Sequence, residues 1–326
     1  MGLAVGMLSR VADSLYWMSR YLERAERSAC LGGVHLSLLL DQPRELSVAR
    51  WERLQSAMGF TAPVPRGDRA VELTQTVAFD TSHPASILSC LTHARDNARQ
   101  VREEISSEMW EQLNRMYHAL RAAGATRMRE SEVAPLFDRV REQIHLFRGI
   151  TNATSNHGEG WHFMRLGMHL ERAAATADLV DRHVRDYPDA QRRALSPNDQ
   201  VEWIGLMRCC AAFEGYCKLY TADVRPENVL EFLLLHPTFP HAVRFSAEQV
   251  TASLAAIEGF AGSRRSARIA RVAGRFAATL GYAQIDEVLA DGAHTFLEVI
   301  ATQCAQLHSG IYHSYFDYTI ESALER

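Results

Sequence analysis

The sequence has almost none of the alternation between apolar and polar residues that marks a half-buried β-strand. It also lacks any run of apolar residues long enough to cross a bilayer, so we expect no membrane association. No Gly-rich phosphate loop, no GxSxG elbow and no HExxH sequence occurs. These absences argue against sheet-based folds and remove the commonest signatures of nucleotide-binding proteins, serine hydrolases and zinc proteases.

Cysteine is scarce and lies in no recognisable pattern. Neighbouring residues Cys209 and Cys210 cannot readily pair with each other, and no CxxC or common zinc spacing is present. Scattered thiols in a chain of 326 residues suggest a reducing compartment, so we expect a cytoplasmic protein without a structural metal. The six cysteines are at positions 30, 90, 209, 210, 217 and 304.

Lysine is nearly absent, since Lys218 is the only one, and arginine supplies the other basic residues. This habit of the whole chain weakens any inference that one particular arginine was selected for its bidentate geometry. The formal net charge is −4, which gives no reason to expect a nucleic acid or an anionic membrane as partner.

What the sequence does contain is helical periodicity, first over residues 9–31. One face of this predicted helix is apolar and the other carries Arg20, Glu23, Arg24 and Arg27. Periodicity alone predicts that the charged face is solvated, with i,i+3 and i,i+4 pairs of small energy.

The tetrapeptide Leu22-Glu23-Arg24-Ala25 returns 148 residues later as Leu170-Glu171-Arg172-Ala173. The second copy lies on a segment that is apolar nearly all round, which is typical of a buried helix. Buried charges need partners, and the nearest partner for each Glu-Arg pair is the other pair. The repeat therefore predicts a central ion-pair network, or a polar cavity lined by the same side chains.

The fold prediction is all-α, with two helical lobes from an internal duplication, related by a pseudo-two-fold axis and packed as one bundle-like body. A weaker recurrence of Pro84 as Pro240 supports the duplication. We assign residues 7–155 to the first lobe and 156–326 to the second, or the whole to one continuous domain. Residues 1–6 form an extension without signal-peptide features. We also expect single helices over 197–222 and 285–308.

Two further groups have both a structural and a functional interpretation. Arg95 and Arg102 flank an apolar helix seam. Together with Asn97 and Arg99 they form either the polar margin of that helix or an anion clamp for a carboxylate or phosphate. Glu-x-x-His spacings of the kind found in di-metal bundles occur at Glu142/His145 and Glu159/His162. Both patterns are incomplete, so we expect no metal and no other cofactor.

Three stretches carry a resemblance to the bacterial alpha-E family. That family usually has Arg where this chain has Met168, so we do not expect a mechanism that needs this guanidinium to carry over. It also usually has Arg in place of His162, which argues against His162 as a metal ligand. The matching stretches are Met7 to Leu31, Ala94 to Arg102 with Trp110 and Asn114, and Gly160 to Ala173.

The resemblance implies a helical partner of a circularly permuted ATP-grasp ligase, in a system that forms amide bonds and includes a transglutaminase-like peptidase. A peptide or amino-acid substrate follows from that context. The alternative is an enzyme in its own right, with Glu23 or Glu171 as acid/base and arginines holding a carboxylate. The motif positions carried over are Arg20, Glu23, Arg24, Arg95, Asn97, Arg99, Glu171 and Arg172.

Overall fold

The computed structural model describes residues 7–40, 44–60, 69–126, 128–188, 195–261 and 267–317. Within these ranges it contains fourteen α-helices and no β-strand, which confirms the all-α prediction. The predicted extension, residues 1–6, lies outside the described residues. The first seven helices are α1 (Ser9–Leu40), α2 (Arg44–Met58), α3 (Arg69–Thr74), α4 (Ile87–Gln100), α5 (Ser107–Gly124), α6 (Glu130–Thr154) and α7 (Glu159–Asp186).

The second half of the chain is built in the same way from helices of varied length. Short π-helical turns at Gln75–Phe79 and Tyr312–Phe316 follow α3 and the last helix, respectively. No helix of the described ranges has the length and apolar character to span a membrane. The remaining helices are α8 (Pro197–Cys209), α9 (Phe213–Tyr220), α10 (Pro226–Leu235), α11 (Val243–Ala261), α12 (Ala267–Gly281), α13 (Ile285–Asp291) and α14 (Ala293–Ile311).

Helix starts follow the local sequence closely. The hydroxyl of Ser106 accepts a hydrogen bond from the amide of Met109, and that of Ser196 accepts one from the amide of Asp199. Pro197 occupies the first turn of α8, where its missing N–H costs nothing. These serines cap α5 and α8, since each hydroxyl binds a backbone amide that has no partner within its helix.

Two predicted single helices are wrong, because each is broken into two. The expected helix over 197–222 ends at Cys209 and resumes at Phe213, with Ala211 in a left-handed conformation at φ 50°. The expected helix over 285–308 is divided at Gly292, whose φ of 97° suits a residue without a Cβ. The helix predicted over residues 9–31 is longer than expected, because α1 continues through Gly32 to Leu40. A Cβ at Gly32 would meet the Phe137 ring at 2.6 Å.

Helices α1 and α7 lie side by side at the centre and run in the same direction. Hydrogen bonds join Met7 to Glu159, Arg20 to Glu171 and Arg27 to Asp178, so partners are consistently about 150 residues apart. Around this pair, α1 packs on α4 and α6, while α7 packs on α11 and α14. Helix α5 packs against both α4 and α6, and α12 packs against both α11 and α14.

This shared packing order is what a duplication predicts, although the duplication itself and the boundary at 155/156 stay predictions. Buried apolar side chains form one continuous cluster that extends from Val11 to Ile311 through both halves. The two central helices are therefore packed into a single apolar core that both halves share.

The closest approach of α1 and α7 is at Gly167. A Cβ added there would lie 2.2 Å from the carbonyl oxygen of Tyr16, which is far inside contact distance. One helical turn later on each helix stand Arg20 and Glu171, which are hydrogen-bonded to each other. The glycine thus sets the helix separation at which those side chains meet.

We predict that Gly167→Ala destabilises the protein by about 1–3 kcal/mol or more, because backbone and not a flexible side chain blocks the added methyl. The matched control is Gly149→Ala in α6, where nothing lies within 4 Å of the new Cβ. That control should gain up to about 1 kcal/mol from helix propensity. Urea unfolding midpoints measure both, and equal effects of the two substitutions would contradict the close approach.

Candidate functional site

Glu171 of α7 is held by two guanidinium groups from α1. Its Oε2 accepts a hydrogen bond of 2.6 Å from Nε of Arg20, and its Oε1 accepts one of 2.6 Å from Nε of Arg24. A second nitrogen of Arg24 reaches Oε2 at 3.2 Å. Both carboxylate oxygens are therefore occupied.

Glu23 of α1 has the reciprocal arrangement. Arg172 of α7 binds it in a bidentate manner, with Nε 2.7 Å from Oε1 and Nη2 2.9 Å from Oε2. Arg148 of α6 adds a further hydrogen bond to Oε2. The same nitrogen of Arg148 forms an ion pair with Glu26, whose other oxygen lies 2.7 Å from Nε2 of His145.

Each glutamate thus contacts arginine from the other central helix, so the bonds cross between α1 and α7. The residue exposures of Arg20, Glu23 and Glu171 are only 8%, 5% and 8%. A solvated charged face on α1, as periodicity alone predicts, is therefore wrong, because α7 covers it. We call the following seven residues the central cluster: Arg20, Glu23, Arg24, Glu26, Arg148, Glu171 and Arg172.

The electrostatics of the central cluster favour ionised carboxylates. Burial by itself would raise the pKa of Glu171, but the charges and hydrogen bonds of Arg20 and Arg24 outweigh it and leave that pKa below its usual value. Burial of Glu26 is likewise outweighed by Arg148 and His145, which hold its pKa well below the usual range. With three glutamates and four arginines, the cluster keeps a surplus positive charge.

One histidine completes the contacts of Arg20. Nδ1 of His308, on α14, lies 2.8 Å from Nη1 of Arg20 and 3.0 Å from the hydroxyl of Tyr16. Burial and the neighbouring Arg20 charge lower the pKa of His308 to about 4, so the ring is neutral at pH 7. Because a guanidinium can only donate, Nδ1 is the acceptor and the proton of the ring is on Nε2.

The Arg95 group does not join the central cluster. Arg95 donates to Asn114 at 2.6 Å, Asn97 donates to the carbonyl of its own helix at His93, and Arg99 forms an exposed pair with Asp96. The three side chains are thus engaged locally and do not converge as an anion clamp. Arg95 therefore does not bind either motif glutamate, and Arg148 of α6 is the additional arginine that binds Glu23.

Two residues of the central cluster, Glu26 and Arg148, were not predicted from the sequence. Arg148 is the i,i+3 neighbour of His145, which was considered only as a possible metal ligand. In the structure both side chains of α6 turn toward Glu26, and Glu142 is exposed on the surface. Glu159 accepts a hydrogen bond from the amide of Met7, and the His162 ring packs against Trp161.

The potential metal ligands are therefore dispersed. In the part of the chain that the structure describes, no group of three or more His, Cys, Asp or Glu residues could hold a metal ion. Glu142 with His145 and Glu159 with His162 each lack the further ligands that a di-metal bundle site requires.

Two spaces adjoin the central cluster. A small cavity of about 30 Å³ lies beside Glu23, Glu26 and His241, which is the volume of about one water molecule. The second space is an open cleft of about 170 Å³, which lies between α1, α6 and α7 next to Arg148. Only the cleft has room for an organic group.

We predict that Glu171→Ala costs about 3–5 kcal/mol, because it leaves Arg20 and Arg24 without their shared carboxylate inside the protein. Asp138→Ala is the matched control, since Asp138 pairs with Arg141 at the surface and both side chains are well exposed. The control should change stability by less than about 1 kcal/mol. Urea denaturation gives both values, and a wild-type midpoint for Glu171→Ala would show that the charge pair is not structural.

Acid should destabilise the protein from about pH 6.5 downward, because several histidines are neutral when folded and protonate on unfolding. Burial lowers the pKa of His35, His183 and His241 to about 3 each. A histidine whose pKa is lower in the folded than in the unfolded protein stabilises the fold at pH values above its unfolded pKa. This stabilisation is lost as the pH falls toward the folded pKa. As the pH falls through this window, each such histidine lowers the free energy of unfolding by up to about 1.4 kcal/mol per pH unit.

Urea unfolding at about pH 7.5 and about pH 5 tests this sign and slope. His183→Gln should reduce the pH dependence, because it removes one buried titrating ring. His118→Gln, at an exposed position of α5, should leave it unchanged. A stability that is flat between the two pH values would contradict the burial of neutral histidine.

Comparison with known proteins adds a family to this geometry. A family model described as a predicted alpha-helical domain with a conserved ER motif matches residues 7–316. Uncharacterized proteins of Mycobacterium bovis and of two Mycobacterium tuberculosis strains are each 21% identical to this chain over an alignment of 330 positions, which covers 94% of this chain and 36% of the relative. No solved structure matches the chain. Glu-Arg dipeptides stand at the centre of the fold in both halves, and the chain belongs to the Alpha-E family.

Proposed function

We propose that this protein is a non-catalytic helical partner of an ATP-grasp amide (peptide) ligase. It acts in the cytoplasm beside a transglutaminase-like peptidase, needs no cofactor, and binds the amino-acid or peptide substrate of the ligase. Membership of the Alpha-E family supports this context. The rest of the support is the chemistry of the central cluster.

The observation that carries the proposal is the saturation of both motif glutamates by arginine. A general acid or base must reach the substrate and needs a pKa near the working pH. The carboxylate of Glu171 is occupied at both oxygens, and Arg20 and Arg24 keep its pKa lowered despite burial. Glu23 is bound by Arg172 and Arg148 in the same way. This favours a structural role for the Glu-Arg pairs over the alternative of an independent enzyme.

The size of the space beside the glutamates also favours a structural role for the Glu-Arg pairs. The cavity next to Glu23 has room for about one water molecule and none for an amino acid. An enzyme that used Glu23 as acid or base would need a substrate-sized space there. The cleft lies instead beside Arg148, and five of its ten lining side chains are apolar.

The lengths of the relatives support a physical association with another protein. This chain spans about 36% of the length of the curated relatives that it matches. Most of each relative therefore lies outside the matched region. In these relatives the Alpha-E region is joined to further segments of the same chain. We expect an Alpha-E region that is not joined in this way to work with separate chains instead.

Affinity purification of the tagged protein from its native host tests the proposal. We expect an ATP-grasp protein to co-purify, and we expect the isolated chain to catalyse no amide-bond formation with amino acids and ATP. Exposed arginines on α12, such as Arg271 and Arg275, attract acidic proteins, so the wash must be at high ionic strength. An unrelated helical protein with the same tag is the control bait. Retained proteins without an ATP-grasp chain would contradict the proposal.

A further inference from the structure

The cleft between α1, α6 and α7 combines an apolar wall with two arginines. Helix α6 contributes Arg148 and α7 contributes Arg165, and both line the same space of about 170 Å³. An apolar cavity of about 150 Å³ is large enough to hold a benzene-sized molecule. The apolar wall consists of Leu22, Phe147, Trp161, Met164 and Met168.

Arg165 is a cation without a carboxylate partner among the described residues. Its guanidinium lies 4.6 Å from the centre of the Trp161 ring and donates to the side-chain oxygen of Gln249. Burial lowers its pKa, and no neighbouring acidic group counteracts that effect. A half-buried guanidinium that is bound only to a ring and a neutral amide retains capacity for an anion.

Arg148 offers further donors. Its contacts with Glu23 and Glu26 both use Nη2. Its Nε and Nη1 make no hydrogen bond to the residues that the structure describes, although the side chain borders the cleft. Since the central cluster already has one positive charge in excess, an incoming carboxylate would complete the charge balance.

The cleft lies where the two halves carry different residues at corresponding positions of the repeat. Moving back by the 148-residue offset of the repeat, Met168 corresponds to Arg20. Arg20 of α1 binds Glu171. Met168 of α7 does not bind Glu23 in the same way, and Arg148 of α6 binds that glutamate instead. The unbranched methionine then forms an adaptable apolar surface where the first half has a guanidinium.

From this we infer that the cleft binds a molecule with a free carboxylate and an adjacent apolar side chain, such as the C-terminal residue of a peptide. The carboxylate lies between Arg148 and Arg165, and the apolar side chain lies against Trp161 and Met168. This inference rests on the proposed function, for which it supplies the chemical class of the substrate. Two guanidinium groups beside an apolar wall select for this pairing of charge and side chain.

Calorimetric titration of the purified protein with N-acetyl-L-leucine tests the site. We expect saturable binding of one molecule per chain, and at least tenfold weaker binding of N-acetyl-L-leucinamide, which has the same shape without the charge. Arg165→Gln should weaken the binding of N-acetyl-L-leucine at least tenfold. Arg275→Gln, at an exposed position of α12, is the matched control and should leave it unchanged.

Met168→Arg provides a second variant that does not depend on Arg165. Its long side chain should fill the apolar end of the cleft and abolish binding, while a urea midpoint near wild type verifies that the variant is folded. Absence of saturable binding, equal binding of the acid and the amide, or equal binding of inorganic phosphate would each overturn the inference. The titration uses the isolated chain. Binding of N-acetyl-L-leucine without co-purification of an ATP-grasp protein would therefore contradict only the proposed function. Co-purification without such binding would contradict only the ligand site in the cleft.

Discussion

The crossed ion pairs between α1 and α7 are the interaction on which the rest of the structure depends. Glu23 with Arg172, and Glu171 with Arg20 and Arg24, lie inside an apolar core that would strongly disfavour any one of them alone. Two parallel helices at one fixed separation and register satisfy all of them together. The buried charges thereby specify how the two halves of the chain come together.

The close contact at Gly167 and the ion pairs one turn further are two parts of the same constraint. A larger residue at 167 would separate the helices and lengthen the hydrogen bond between Arg20 and Glu171. Around this centre the packing order is the same in both halves, but the charges are not. Met168 takes the place that corresponds to Arg20, and α6 supplies Arg148 instead, which leaves a cleft on one side only.

The sequence supported the pairing of the two Glu-Arg dipeptides more firmly than it supported their surroundings. The repeat of Leu-Glu-Arg-Ala on an apolar segment required a buried partner for Glu171, and the other copy of the same tetrapeptide was the nearest one available. Arg148 could not be found in this way, because it belongs to a third helix and has no counterpart in the repeat. Arg95 and Asn97 seemed equally suitable by residue type, yet Asn114 and the backbone at His93 are their partners.

By itself the sequence determined that the chain is helical, where α1, α8 and α13 begin, and that Glu171 and Arg172 had to be buried. These properties follow from local periodicity, capping residues and the cost of an unpaired buried charge. Tertiary structure alone decided that α1 is covered on its charged face, that the backbone breaks at Ala211, and that Arg148 and Arg165 border one cleft. Each of these depends on contacts between residues far apart in the chain, which no local pattern encodes.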